Sequence, residues 1–292
     1  MSLLIERSND RKFAPDFSGD LFVWDIDKTY LDTHFSSFRG LLSIPLEFAI
    51  DKRAMPGAVP LLRALRRGPG EKSLVNPLYF VSGSPPQLRS VIERKMLLDG
   101  VDFDGITFKD QWGLVRAGRG KEIKEQVGYK VAALLMYQQE IPVTVKWFFF
   151  GDDFESDSHA FLLFGEIMAG LRGAPLEERL RSFGVSAPRI QDIRGFSDPM
   201  PVIKDPVENV FIQLVKGADP ASFKDPRVVA ARSFLQSALF LAKINKIRAQ
   251  DVAAVADDLR RRHVTEAVIT LQLDDARDRL QIPEDLLHAA RR

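Results

Sequence analysis

Two aspartates one residue apart, Asp25 and Asp27, close the apolar run Leu21-Phe22-Val23-Trp24. A second acidic group, Asp152, Asp153 and Asp157, follows the apolar run Trp147–Phe150. Carboxylates set side by side repel one another and invite a cation. Carboxylate and water oxygens are the donors that magnesium prefers. Ser82, followed by Gly83, ends a third apolar run, Leu78-Tyr79-Phe80-Val81. A hydroxyl with neighbouring backbone N–H groups can hold a phosphoryl oxygen, although a serine there equally caps the next helix. Lys130 offers a compact ammonium suited to a phosphate and a buried carboxylate together. Lys109, Lys121 and Lys124 compete for that role, and Lys130 is preferred for its place before Pro142 and the Trp147–Phe150 run. Asp153 is an alternative to Asp152, since side-chain direction is not legible in a loop.

Short continuous apolar runs read as strands buried on both faces, the kind found in parallel sheets. A sheet interior cannot hold unpaired carboxylates, so the acidic groups belong at strand ends. In open parallel sheets the carboxyl ends of the strands form the ligand crevice. The strands expected are Leu21–Asp27, Leu78–Val81, Gly105–Phe108, Val145–Phe150 and Arg189–Ile193. Helices are expected at Val59–Leu65, Gln87–Leu98, Tyr129–Gln139 and Ser158–Leu171, with a turn at Pro56-Gly57 and an exposed loop at Arg116–Lys124. Such alternation indicates an α/β parallel sheet of Rossmann type. Residues 1–20 read as polar and loosely ordered. Pro199, Pro201 and Pro206 mark a linker, and Val210–Val215 fits strand or helix. Beyond Asp225 the pattern is helical, over Val228–Ile247, Ala249–Arg262 and Thr265–Leu280. The expected organisation is therefore residues 1–205 as the α/β domain and 206–292 as an appended helical region.

Asp25-Ile26-Asp27-Lys28-Thr29 resembles the first motif, DxDx(T/V), of haloacid-dehalogenase-superfamily phosphatases. With Pro56-Gly57, Val81-Ser82-Gly83-Ser84-Pro85-Pro86-Gln87-Leu88, Gly128-Tyr129-Lys130 and Gly151-Asp152, the succession is similar to the actin-patch-associated phosphatidate phosphatase branch. The likeness covers about residues 20–195. Lys28 stands where that branch usually has aspartate and Asp153 where it usually has serine. The resemblance implies a magnesium-dependent phosphomonoester hydrolase with Asp25 as the nucleophile and Asp27 as the acid and base. It also implies magnesium between Asp25, the backbone carbonyl of Asp27 and Asp152, with Asp157 holding its waters, and phosphoryl oxygens on Ser82, Gly83 and Lys130. The segments Thr29–Pro56 and Ser82–Lys130 are too short for a large cap. An open site admits bulky phosphates, phosphatidate among them, and the rival readings are a protein, nucleotide or metabolite phosphatase or a catalytically idle binding module.

The 292 residues are 45% hydrophobic and 28% charged, with a net charge of +1. That composition suits a globular protein and implies no general attraction to nucleic acid. With no cysteine, disulfides, thiolate metal sites and a cysteine nucleophile are excluded. Early charges argue against a signal peptide, and no apolar stretch nears the ~20 residues of a membrane span. A cytoplasmic protein is expected. His34 and His159 lie close to the acidic motifs and are weaker candidates for substrate contact. Arg260–His263 and Arg63, Arg66 and Arg67 read as solvated helix ends. Phe234, Leu235, Leu239, Phe240 and Leu241 are too apolar for a free helix, so the tail is expected to cover the α/β domain or to mediate self-association.

Overall fold

A computed structural model describes residues 4–32, 53–154 and 156–291. Its frame is a seven-stranded sheet in the order β1-β4-β3-β2-β5-β6-β7. The strands are β1 (Ile5–Asn9), β2 (Asp20–Asp25), β3 (Leu78–Ser82), β4 (Gly105–Lys109), β5 (Lys146–Asp152), β6 (Val207–Gln213) and β7 (Val228–Ala231). All neighbours run parallel except β1, which pairs antiparallel with β4. From β2 the chain builds outward to β3 and β4 on one side and later to β5, β6 and β7 on the other. The place where that direction reverses, between β2 and β5, is where open α/β sheets bind ligands.

Alternation along the strands feeds two separate cores. Phe22 and Trp24 face a layer made of α1 (Ala58–Arg67), α2 (Arg89–Leu98), α8 (Phe234–Lys243), α9 (Ala249–Arg261), α10 (Glu266–Leu280) and α11 (Glu284–Arg291). Leu21 and Val23 face α4 (Val127–Gln138), α5 (Asp157–Met168), α6 (Gly173–Ser182) and α7 (Ala187–Ser197). The short α3 (Gln111–Arg116) lies between β4 and α4 in sequence. No helix among the described residues is long and apolar enough to cross a membrane.

The structure corrects several sequence expectations. Arg189–Ile193 is not a strand but the first part of α7. Ser186 caps this helix by accepting the Arg189 N–H at 3.3 Å. Ile190 and Ile193 sit three apart on its buried side, a helical rather than an alternating spacing. Residues 5–9, expected to be loose, form an edge strand. Its polar residues, Glu6 and Arg7 among them, are what a sheet edge tolerates, which is why it lacks an apolar signature. Within Arg116–Lys124, expected to be exposed, Glu122 is buried and ion-paired to Arg119 and Arg189. Val210–Val215 resolves as β6, and Val228–Ala231 is a strand rather than the start of a helix, its paired β-branched valines running beside β6.

The boundary expected at 205/206 does not separate two cores. Beyond it, β6 and β7 extend the same sheet, and α8–α11 share one apolar cluster with α1 and β2. Phe234 stacks on Trp24 with centroids 5.2 Å apart, and Trp24 stacks on Phe150 at 4.3 Å. The Gly57 N–H at the Pro56-Gly57 turn donates to Asp258 of α9 at 2.8 Å. The apolar tail residues are thus accounted for by cover over the sheet. Between Ser82 and Lys130 the chain adds β4 to the sheet and α2 to its face. The Thr29–Pro56 segment lies mostly outside the described residues, as does His34.

Candidate metal centre

Three adjacent parallel strands end at one level. Asp25 is in register with Val81 of β3, and Trp24 with Phe150 of β5. The carboxyl ends of β2, β3 and β5 therefore bring Asp25, Ser82 and Asp152 to one edge. Asp25 continues the Leu21–Val23 side of β2, towards α4 and α5. Lys130, in the first turns of α4, reaches Asp25 Oδ1 with its Nζ at 2.8 Å and also pairs with Asp157 at the start of α5. All three side chains are fully buried.

Asp25, Asp152 and Asp157 each place a carboxylate oxygen so that the three atoms lie within 4.8 Å of one another. Two oxygens on one magnesium, bound at about 2.1 Å, stand at most about 4.2 Å apart, a separation on the same scale. The donors are hard oxygens and buried, and Lys130 sets one positive charge against three carboxylates. Burying such a group is costly unless cations neutralise it, so the donor set fits a magnesium-class ion. Asp157 can lie this close to β5 because residue 151 is glycine. A Cβ at Gly151 would collide with an Asp157 carboxylate oxygen. The Asp152 N–H then donates to Asp157 Oδ2 at 3.2 Å, locking the acidic loop to the helix start.

The structure also divides residues that the sequence left together. Strand β2 ends at Asp25, and Asp27 sits in an isolated bridge to Leu31. The Asp27 carboxylate is outside the group of three. It accepts from the Ser82 hydroxyl at 3.2 Å and from the Ser84 hydroxyl at 2.8 Å. The end of the strand turns this side chain to the β3 tip, so the contribution to magnesium expected of Asp27, through its backbone carbonyl, does not involve the carboxylate. Ser82 Oγ in turn accepts the Ser84 N–H at 3.0 Å. Asp153, the alternative to Asp152, accepts the N–H groups of Lys216 and Ala218 at 2.8 and 3.0 Å and so ties the β5 loop to the loop after β6. Lys109 donates to the carbonyls of Ile123 and Glu125 and thus pins the loop before α4. Lys121 and Lys124 are exposed. His159 packs its ring 5.1 Å from Phe183. Arg260 pairs with Asp257 and Glu266 at the end of α9, whereas Arg66, expected to be a solvated helix end, is largely covered and pairs with Asp102 and the buried Asp104.

Two contributors carried little signal in the sequence. The Tyr129 hydroxyl donates to the Ser82 carbonyl at 2.7 Å, and complete burial pushes its phenol well above the usual range, so it remains a neutral donor. Ser84 shares Asp27 with Ser82. The two-residue spacing of these serines hinted at a common side, but only the bend after β2 supplies their partner. Gly83 offers its carbonyl to Gln111 at 3.0 Å, and its Cα lies against the Gln126 amide. No protein-family model, curated protein or solved structure matches the chain.

Proposed function

We propose that the chain is a magnesium-dependent phosphomonoester hydrolase of haloacid-dehalogenase type, working through an aspartyl-phosphate on Asp25. The observation that carries this reading is the buried Lys130, paired with both Asp25 and Asp157 at the carboxyl edge of the sheet, with the serine-held Asp27 two residues from Asp25. A carboxylate attacking an anionic phosphate needs its repulsion offset, and positioned cations do that. Magnesium held by Asp25, Asp152 and Asp157 would supply charge neutralisation for the phosphoryl group. Lys130 would hold Asp25 in line and neutralise a phosphoryl oxygen, with Ser82 and Gly83 beside it. An Asp25 oxygen bonds to phosphorus as the bond to the leaving oxygen breaks, and the Asp27 carboxyl delivers a proton to that oxygen. Asp27, now a carboxylate, takes a proton from the water that hydrolyses the acyl phosphate.

The test is hydrolysis of para-nitrophenyl phosphate with and without magnesium. Asp25→Asn keeps the shape of the side chain but removes the nucleophile and is expected to lower kcat at least 10³-fold with the fold intact by circular dichroism. Magnesium-dependent turnover retained in Asp25→Asn would remove Asp25 from this role, and an inactive wild-type chain would favour a binding module on the same fold.

A further inference from the structure

A cavity of about 450 Å³ opens beside the carboxylate cluster, bounded by Lys121, Lys124, Glu125, Phe154 and Phe183 among others. Its size falls in the range of small-ligand sites. It adjoins the β3 tip at one point and the cluster at two. Gln126, in its wall, lies against Gly83. Ser156, also in its wall, precedes Asp157, and the Phe154 N–H donates to Asp152 Oδ1. A group leaving phosphorus at Asp25 would therefore be directed into this space.

The charge around the cavity is one-sided. Lys121 and Lys124 line it as exposed ammonium groups, and no ion pair to either is seen among the described residues. Phe154 brings one further exposed lysine to the same mouth, Lys216, with Nζ 3.8 Å from the ring centroid, while Lys28 lies buried against the ring. Lys28 is the residue inside the Asp25-Ile26-Asp27-Lys28 turn, held at φ 61°. Of the acidic residues nearby, Glu125 keeps its proton to higher pH through burial, Asp153 is committed to the backbone of Lys216 and Ala218, and the Asp25–Asp152–Asp157 group is paired with Lys130 and would be neutralised by a bound cation. A chain with a net charge of only +1 has concentrated positive charge at one opening, and such a mouth attracts anions.

Building on the proposed phosphatase reaction, we infer that the substrate is a phosphomonoester whose leaving alcohol carries a second anionic group, held in this cavity by Lys121 and Lys124 with Lys216 at the entrance. Val127, Phe154 and Phe183 provide the apolar contact for the carbon skeleton between the two anionic ends. This reading departs from a diacylglycerol leaving group, which would present no charge to the lysines.

Matched pairs test it. 3-Phosphoglycerate is compared with glycerol 3-phosphate, and 4-carboxyphenyl phosphate with phenyl phosphate, each pair differing in a carboxylate on the leaving group. The carboxylate-bearing member of each pair is expected to have at least tenfold higher kcat/KM, mostly through KM, with the advantage shrinking as salt is raised. The double substitution Lys121→Ala, Lys124→Ala should collapse that ratio towards one, whereas Lys72→Ala, in the loop leading to the amino end of β3, should leave it unchanged. A ratio near one in the wild-type chain, or faster turnover of phosphatidate vesicles than of either carboxylate ester, would overturn the inference. If none of the esters turned over, the proposed reaction would fall, and calorimetric affinity for the same pairs in magnesium would still decide whether the cavity selects a second anion.

Discussion

On the face of the sheet covered by α1, α2 and α8–α11, Trp24, Phe150, Phe211 and Phe234 stack in a continuous aromatic row. On the opposite face, the same central strands turn Asp25 and its neighbours towards Lys130 and Asp157. The first face gains stability from apolar burial and ring contact. Its buried polar contacts include a neutral one, Gln213 to Ser237 at 3.0 Å. The second face has an apolar core of its own, but at its strand ends stability is lost, because a buried ion pair rarely recovers the cost of desolvating its charges. Charge retained at such cost, at the strand ends where ligands bind, is the physical ground for placing chemistry there. Much of the cover over the aromatic face comes from the chain after Pro206, in α8–α11.

Removing that cover should have the largest effect. A chain ended at Pro206 loses β6, β7 and α8–α11, baring the edge of β5 and the Trp24–Phe150 stack. It should show no cooperative unfolding transition by circular dichroism. Normal two-state melting would mean that the two faces do not depend on each other.

Next come paired substitutions, one on each face. Phe150→Ala and Lys130→Ala should each cost about 3–5 kcal/mol in urea denaturation with chelator present. Magnesium should separate them. At a hundredfold excess over its dissociation constant a ligand adds about 2.7 kcal/mol. Phe150→Ala should gain the wild-type increment, and Lys130→Ala a larger one, because its carboxylates have lost their ammonium. Equal increments in the two variants would break the contrast.

Ser84→Ala should cost about 1 kcal/mol, the usual net worth of one hydrogen bond. It should also lower kcat for para-nitrophenyl phosphate by loosening Asp27. The smallest effect is a slope. Burial raises the Glu125 pKa in the folded chain, so its contribution to stability is complete below the ordinary glutamate range and fades as pH rises through the folded value. Stability of the wild-type chain should therefore fall over that interval, and Glu125→Gln should flatten the fall in a series of melts at stepped pH.

The central strands and their acidic ends were legible because burial on both faces writes a continuous apolar run, and a carboxylate cannot sit within one. The same signal misled where burial is partial. The edge strand Ile5–Asn9 is too polar to announce itself, and Arg189, fully buried in α7 against Glu122 at 3.3 Å and Asp192 at 3.5 Å, reads in isolation as a surface charge. The tail's apolar residues predicted cover or self-association but not which surface they would meet.

From the sequence alone, then, came the α/β class, the strand-end aspartates and the preference for Lys130 over Lys109, all consequences of local pattern and order along the chain. The partition of the acidic residues belonged to the tertiary structure. Asp152 joins Asp25 and Asp157, Asp153 ties two loops together, and Asp27 turns to Ser82 and Ser84. Neighbours in sequence with the same side chain differ only in direction. Direction past a strand end is set by the strands and helices packed around it, which lie tens of residues away in the chain.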